Sequence, residues 1–467
     1  MQGPTIGGRT CSQGPTIGKR TCSQGPTVGT AAAKSLAAAS GTECSGHVNA
    51  LPGTTLPTRV PRPLRPFRHA TFRLLVASVA ASLFASGLWL VALIYQVIAL
   101  GGGPAQLSIV SAAAAAGLLA AVLVGGVAAD RMSRRRLLRL VEGVRIAATA
   151  AAAVLSLTGG LQLWHLAALA FLVGAAEAFF YPAYSALLPT VLPQEELLAA
   201  NGIDGVLRPL ATQAAGPAVA GLLVGALAPG YALLGASVGY AVALLPLLVM
   251  KPVAQALREA RPSVLADLRE GVAYLRRTSW LFATLGFAVL WVLVVIGPIE
   301  VLLPFAVRDQ AGGGPGGYAL VLALYGLGDA AGAIAASAGR LPRRYLTTMI
   351  LLWGLGCTPL LVIGLTDRLW VMGAAVAVVG ACCGAGQVIW GTLLQRRVPA
   401  HLLGRISSLD FFVSLALMPV STAVAGPVGV AVGIPLTFVV AGIAPAVLAV
   451  AALLLWRLPA DELRHPL

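Results

Sequence analysis

Charge is scarce in this 467-residue chain: Asp, Glu, Lys and Arg make up 10% of it, against 58% hydrophobic residues. A soluble core needs far less apolar surface, so most of the chain is expected to be solvated by lipid. Acids are scarcer still, 17 against 32 basic residues, for a net charge of +15. Such an excess suits nucleic acid only when it forms one groove-sized face. Here the arginines fall in short loops between apolar runs, which excludes a nucleic-acid partner and points to membrane topology. Histidine is rare, and His47, His69, His165, His401 and His465 are scattered, so no metal site or hydrolytic cluster is expected. The six cysteines show no redox or zinc spacing. Cys11 and Cys22 belong to a tail repeat, Cys44 stands alone, and Cys357, Cys382 and Cys383 lie in apolar runs as small packing residues. Phosphate loops are missing too. Gly101-Gly-Gly-Pro104 and Gly312-Gly-Gly-Pro315 lack the Lys-Ser/Thr that would follow and read as turns. These absences leave no cofactor and no enzyme chemistry to assign.

What the chain does have is apolar length. A helix crossing the ~30 Å hydrocarbon layer needs about 20 apolar residues. Windows of that size predict six spans at about 73–99, 107–129, 137–158, 162–187, 198–226 and 230–250. Six more follow at about 280–306, 317–339, 346–366, 369–392, 406–430 and 433–456. Gly and Ala are abundant within them, as expected where helices pack closely in lipid. The basic residues alternate with the spans. Arg131, Arg134, Arg135, Arg136 and Arg139 share one hairpin, and Lys251, Arg258, Arg261, Arg269, Arg276 and Arg277 share the central one. Arg340, Arg343, Arg344, Arg396, Arg397, Arg405, Arg457 and Arg464 complete that side, while the opposite loops hold only Arg308 and Arg368. The positive-inside rule then puts both termini in the cytoplasm of an inner-membrane protein.

Two segments fall outside the spans. Residues 1–33 repeat an 11-residue unit (MQGPTIGGRTC, SQGPTIGKRTC, SQGPTVGTAAA) too polar to bury a core, so residues 1–70 are expected to be a disordered tail. It has no continuous apolar h-region and is not a secretory signal peptide. The repeats also fit a translation start assigned upstream of the natural one, which peptides from residues 1–33 in the natural protein would exclude. In the linker at 251–279, Val264, Leu265, Leu268, Val272 and Leu275 recur at helical spacing opposite arginines, predicting an amphipathic helix on the inner leaflet.

The two halves repeat. Arg131, Arg134 and Arg135 map onto Arg340, Arg343 and Arg344 at an offset of 209. Pro193 and Asp204 match Pro399 and Asp410 at 206, and Gly216-Pro217 matches Gly426-Pro427 at 210. Parallel repeats of six spans are the plan of a two-lobed secondary transporter. With Gly126-x-x-x-Asp130-Arg131-x-x-Arg134-Arg135 after the second span, the chain resembles the major facilitator superfamily. It is most similar to the branch of enterobactin exporters and macrolide-type efflux pumps (drug:proton antiporter type 3). That narrower likeness rests on Phe180-Tyr-Pro182-Ala-Tyr-Ser-Ala-Leu-Leu-Pro189, Ala200-Asn201, Gly216-Pro217, Pro298-Ile-Glu300-Val-Leu-Leu-Pro304, Leu394-Gln-Arg-Arg-Val-Pro399 and Leu403-Gly404-Arg405.

The resemblance implies an all-α major facilitator fold: lobes at 71–250 and 280–457, a linker at 251–279 and a cytoplasmic tail at 458–467. It also implies alternating access, with proton-coupled efflux of a lipophilic molecule, drug or siderophore by a monomer. The alternatives are an importer of a small solute and, far behind, a non-transporting receptor or a lipid enzyme. Asp130 would meet the N-terminus of the eleventh span, braced by Arg131 and Arg134, when the cytoplasmic side closes. Ser133 replaces the family's loop glycine, and the second copy has Gly339 where the acid would stand, so the gate is expected to be asymmetric. Gly216-Pro217-Ala-Val-Ala-Gly221 is a partial antiporter signature, its upstream glycines replaced by Ile203 and Thr212; Pro217 is expected to bend the fifth span. Charges inside spans mark function. Glu177 and Asp329 are the leading candidates for proton coupling or for meeting a cationic substrate. Glu300 is placed at the outer end, Asp204 and Arg208 are expected to pair, and Asp410 is expected to be helix-end structure beside Asp204. The arginine found midway along the fourth span of some proton-driven drug exporters has no counterpart here, that span offering only His165 near its outer end. Trp89, Gln96, Phe180, Gln213, Trp291 and Gln387 are the cavity candidates, with Tyr95, Phe179, Tyr184 and Trp390 beside them, a mostly apolar set suited to lipophilic solutes. Asp130→Asn is expected to impair turnover while leaving insertion intact. Substrate flux per inserted molecule in membrane vesicles checks this, and an unchanged rate would contradict the gating role.

Overall fold

The protein is seen here as a computed structural model that describes residues 62–251, 264–339 and 341–465. The tail repeats, most of the first half of the linker and Arg340 lie outside the described residues. Among those residues, twelve helices are long and apolar enough to cross a membrane. They run Ala70–Ala99, Pro104–Arg131, Arg134–Leu157, Leu163–Val191, Gln194–Ala226 and Pro229–Val249 in the first lobe. The second lobe holds Ser279–Asp309, Pro315–Ala338, Tyr345–Ile363, Leu369–Arg397, a broken eleventh span (Ala400–Leu415, Met418–Val432) and Ile434–Leu455. The hairpins between successive spans alternate ends. One end carries the arginine-rich turns and is called the basic end below; the other is the far end.

The far-end turns explain their glycines. Gly101 and Gly312 both sit at positive φ (78° and 62°), which a side chain would resist. The next residue in each closes the turn onto the preceding helix: Gly102 donates to Val97 O at 2.9 Å and Gly313 to Val307 O at 2.8 Å. Pro104 and Pro315 then start the following helices, where a missing N–H costs nothing. The same turn is built twice, 211 residues apart.

Helix crossings repeat as well. Lipid offers no hydrophobic drive between helices, so packing has to come from close backbone approach. A Cβ on Gly117 would strike the carbonyl of Phe171, and one on Gly174 that of Ala114. In the second lobe Gly328 lies against Ala377 O and Gly380 against Tyr325 O. Spans two and four, and eight and ten, therefore cross in the same register. Gly87 backs onto Ala211 O in the fifth span, and Gly297 onto Ser421 O in the eleventh. Two π turns, Leu210–Ala215 and Pro298–Leu302, precede Pro217 and Pro304, whose absent N–H groups break the α pattern there.

The apolar core shows how the lobes meet. At the far end one continuous cluster joins both lobes, from Trp89, Ile94 and Leu107 to Leu302, Phe305, Tyr318 and Val376. At the basic end the core divides in two. Phe72, Leu138, Phe180 and Leu187 belong to the first lobe's cluster; Trp280, Tyr345, Trp390 and Ile406 belong to the second's. Direct contacts at the far end agree: Gly426 N donates to Ser108 Oγ at 2.7 Å, Gly221 packs on Pro315 O, and the Tyr95 and Tyr318 rings lie 6.4 Å apart. Gly426 thus sits between lobes, as Gly221 does, while Gly216 packs within its own lobe against Phe84 O. The expected equivalence of Gly216-Pro217 and Gly426-Pro427 holds in sequence but not in packing: the contact that Gly426 makes on Pro104 O is made in the other half by Gly221 on Pro315 O.

Where a tail was expected after the twelfth span, Leu458–Arg464 is a helix with Leu458 and Glu462 buried. Glu462 accepts from the Leu346 and Thr347 amides at 2.9 and 3.1 Å, capping the ninth span with negative charge at its N-terminus. In the linker, Val264–Arg277 is helical. Gly380→Val is expected to abolish folding, since overpacking costs about 3 kcal/mol or more at so tight a crossing. Gly286→Ala, where an added methyl meets nothing within 4 Å, should leave the melting temperature of purified protein unchanged. Identical melting curves for the two variants would contradict close backbone approach as the packing rule.

Candidate functional site

The middle of the first lobe holds a buried ionic cluster. Arg145, halfway along the third span, is 1% exposed, and Glu142 one turn before it is fully buried. Helical spacing of three puts both on one face, with Arg145 Nη1 3.8 Å from Glu142 Oε1. From the fourth span Glu177 reaches the other guanidinium nitrogen through Oε2. Ser82 of the first span stitches the cluster, donating to Glu142 Oε1 at 2.7 Å and accepting from Arg145 Nη1 at 2.9 Å. Phe180 and Tyr240 complete the shell, their ring centroids 4.8 and 5.3 Å from the guanidinium carbon. Glu142 Oε2 and Arg145 Nε have no partner.

Charge counting defines what the cluster can do. Two carboxyl groups face one guanidinium, leaving one surplus negative charge in a low-dielectric setting, and one added proton makes the set neutral. Glu142 is sealed, whereas the Glu177 side chain is 39% exposed and is the member within reach of solvent. The cation opposite Glu177, not expected from the fourth span, is thus supplied by the third.

The second lobe presents a different surface. A cavity of about 360 Å³ is lined by Trp291, Tyr325, Asp329, Trp353, Gln387, Trp390 and Asp410, with Thr284, Cys383 and Phe411 among the others. The aromatic rings are held by their own hydrogen bonds. Trp291 Nε1 donates to Trp353 O at 2.9 Å, and Trp390 Nε1 to Asp410 Oδ2 at 3.0 Å. Ser414 also donates to Asp410, at 3.3 Å. No cation pairs with Asp329 or Asp410 among the described residues. Asp410 is therefore a cavity residue, in contrast to the helix-end role expected for it. Asp204, its repeat partner, pairs with Arg208 at 3.4 Å, and Arg208 lies over Tyr181.

The remaining candidates separate by place. Trp291 and Gln387 line the cavity. Trp89 is buried in the far-end core, Gln96 is buried accepting from Ser156, and Phe180 lies under Arg145. Gln213 packs against Gly326 between the lobes, its Oε1 without a partner. Glu300 sits in the π turn of the seventh span, away from the ionic cluster. Of the expected gate, Gly126, Asp130 and Arg131 lie on the last turns of the second span with side chains outside the described residues. Arg135 is engaged within its own lobe: with Arg139 it donates to Leu247 O and Leu248 O, closing the C-terminus of the sixth span. Arg134 is half-buried, and Arg343 and Arg344 are exposed. Sequence reasoning missed Glu142, Arg145 and Ser82. The available signal was a carboxylate and a cation three apart inside an apolar window; lying just past Arg139, the pair merges with the basic hairpin.

Comparison with known proteins places these features. A family model described as a transmembrane secretion effector matches residues 62–465. The multidrug efflux pump Tap of Mycobacterium tuberculosis is 30% identical over 386 residues, 79% of this chain and 90% of that protein. Macrolide efflux protein A of Streptococcus pyogenes is 23% identical, over 78% of this chain and 91% of that one. Among solved structures, a variant of the nucleoside transporter NupG superposes with a TM-score of 0.67 at 11% identity, covering 82% of this chain and 99% of its own. A POT family transporter in complex with a thioalcohol-conjugated peptide gives 0.64 at 14%, over 83% and 96%. At those identities the structures speak for the fold alone.

Arg145→Ala strands Glu142 as an uncompensated buried charge and is expected to cost about 3–5 kcal/mol. Adding Glu142→Gln should restore part of that loss. Thermal unfolding of the purified protein reads both, and a single variant as stable as the parent would refute the ionic cluster.

Proposed function

Because the chain belongs to the transmembrane secretion effector family of the major facilitator superfamily, we propose that it exports lipophilic cations across the cell membrane in exchange for protons. The observation that carries this reading is the division of labour between lobes. The first lobe has an ionic cluster short of one positive charge; the second has an aromatic wall with two carboxyl groups and, among the described residues, no cation. An amphipathic cation meets both needs of that wall, apolar area from Trp291, Trp353 and Tyr325 and a counter-charge from Asp329 and Asp410. The relatives reported above are named as efflux proteins, which favours export over import.

Coupling follows from neutrality. Glu177 takes a proton from the space between the lobes, and its grip on Arg145 weakens. The guanidinium then leans on Glu142 and Ser82 alone, and the third and fourth spans are free to shift relative to each other. Releasing the proton restores the pair and biases the lobes back. Joined at the far end and divided at the basic end, the lobes rock about their shared far-end core and expose the cavity to the basic side. By charge distribution that side is the cytoplasm, with both termini in it. Asp130 and the neighbouring arginines gate that side in the same reading.

In proteoliposomes with an imposed pH gradient, Glu177→Gln is expected to slow tetraphenylphosphonium flux by at least about tenfold while leaving its binding to detergent-solubilised protein intact. Asp329→Asn should instead raise KM for tetraphenylphosphonium about tenfold and spare uncharged triphenylphosphine oxide. Flux indifferent to the pH gradient would remove proton coupling, and equal effects on both probes would remove the cation preference.

A further inference from the structure

A second cavity, of about 540 Å³, lies at the basic end of the second lobe, away from the transport cavity, and is lined by arginine. Its floor is fixed. Arg397, at the end of the tenth span, pairs with Asp461 at 2.7 Å, and its guanidinium carbon lies 4.6 Å from the centroid of the buried Trp280 ring. Its rim is not. Arg277 and Arg396 line the same cavity, are exposed, and have no ion pair or hydrogen bond among the described residues. Between them, Thr278 and Ser279 open the seventh span, whose N-terminus has no side-chain cap. Two unpaired guanidinium groups, uncapped amides and a helix dipole converge on one concavity, the set that recognises a phosphate group.

We propose that this cavity binds the phosphodiester headgroup of an anionic phospholipid. The site stands where the seventh and tenth spans end, at the level where headgroups meet hydrocarbon. One wall is the C-terminal helix, which follows directly on the exposed Leu454, Leu455 and Trp456, an apolar flank suited to acyl chains with an aromatic anchor. Arg277 closes the linker helix and Arg396 closes the tenth span, so a bound headgroup ties the linker to the second lobe. Basic pockets between membrane spans select anionic lipid by this chemistry.

The test uses the full chain in phosphatidylcholine vesicles containing spin-labelled phosphatidylglycerol. Wild-type protein is expected to immobilise a phosphatidylglycerol fraction, falling about fivefold with Arg277→Ala or Arg396→Ala and further with both. Arg136→Ala, an exposed basic residue of the other lobe, should change nothing, and neither should inorganic phosphate. Unchanged immobilisation in the double variant would overturn the proposal. A matching loss with Arg136→Ala would mean a diffuse surface charge, and displacement by millimolar phosphate would mean a site for free anion; either outcome also overturns it.

Discussion

Close approach of backbones between membrane helices is the constraint from which the rest follows. In lipid a leucine seam gains nothing over the surrounding tails, so helices adhere where small residues let carbonyls and Cα atoms touch. Here Gly117, Gly174, Gly328 and Gly380 make those contacts, and they fall in the same register in each half. That pairing makes two lobes of like shape, and the glycine turns at Gly101 and Gly312 complete the likeness. A duplicated scaffold then holds two unlike interiors.

The unlikeness is chemical. The first lobe gathers its polarity in Glu142, Arg145, Glu177 and Ser82, two carboxyl groups around one guanidinium. The second has tryptophan and two carboxyl groups, without a cation partner among the described residues, around a cavity. A buried charge cluster without a full complement of partners is costly in a membrane. Trp291 and Trp390, each held by its own N–H hydrogen bond, line that space.

The structure places the basic residues in several distinct roles that net charge does not separate. Arg135 and Arg139 close the sixth span, Arg397 anchors the C-terminal helix through Asp461, and Arg208 pairs with Asp204. Arg277 and Arg396 have no ion pair among the described residues and line a concave surface. Of these roles, the sequence reading anticipated only the pairing of Arg208 with Asp204.

Hydropathy alone determined the twelve spans, because a stretch long and apolar enough to cross lipid has no other stable place, and the repeat offsets determined the two lobes. Glu177, Asp329, Trp291 and Gln387 were also visible as candidates, since a charge or amide inside an apolar run needs a reason, and the structure sets Glu177 on Arg145 and the other three around one cavity. Which spans supply each other's partners was not visible. That Arg145 faces Glu177, that Asp410 turns to Trp390, and that Gly426 bridges lobes while Gly216 does not, depend on helix rotation and register. Those are set by which small residues meet across a crossing, a property of pairs of helices brought together in three dimensions, and no single stretch of chain contains it.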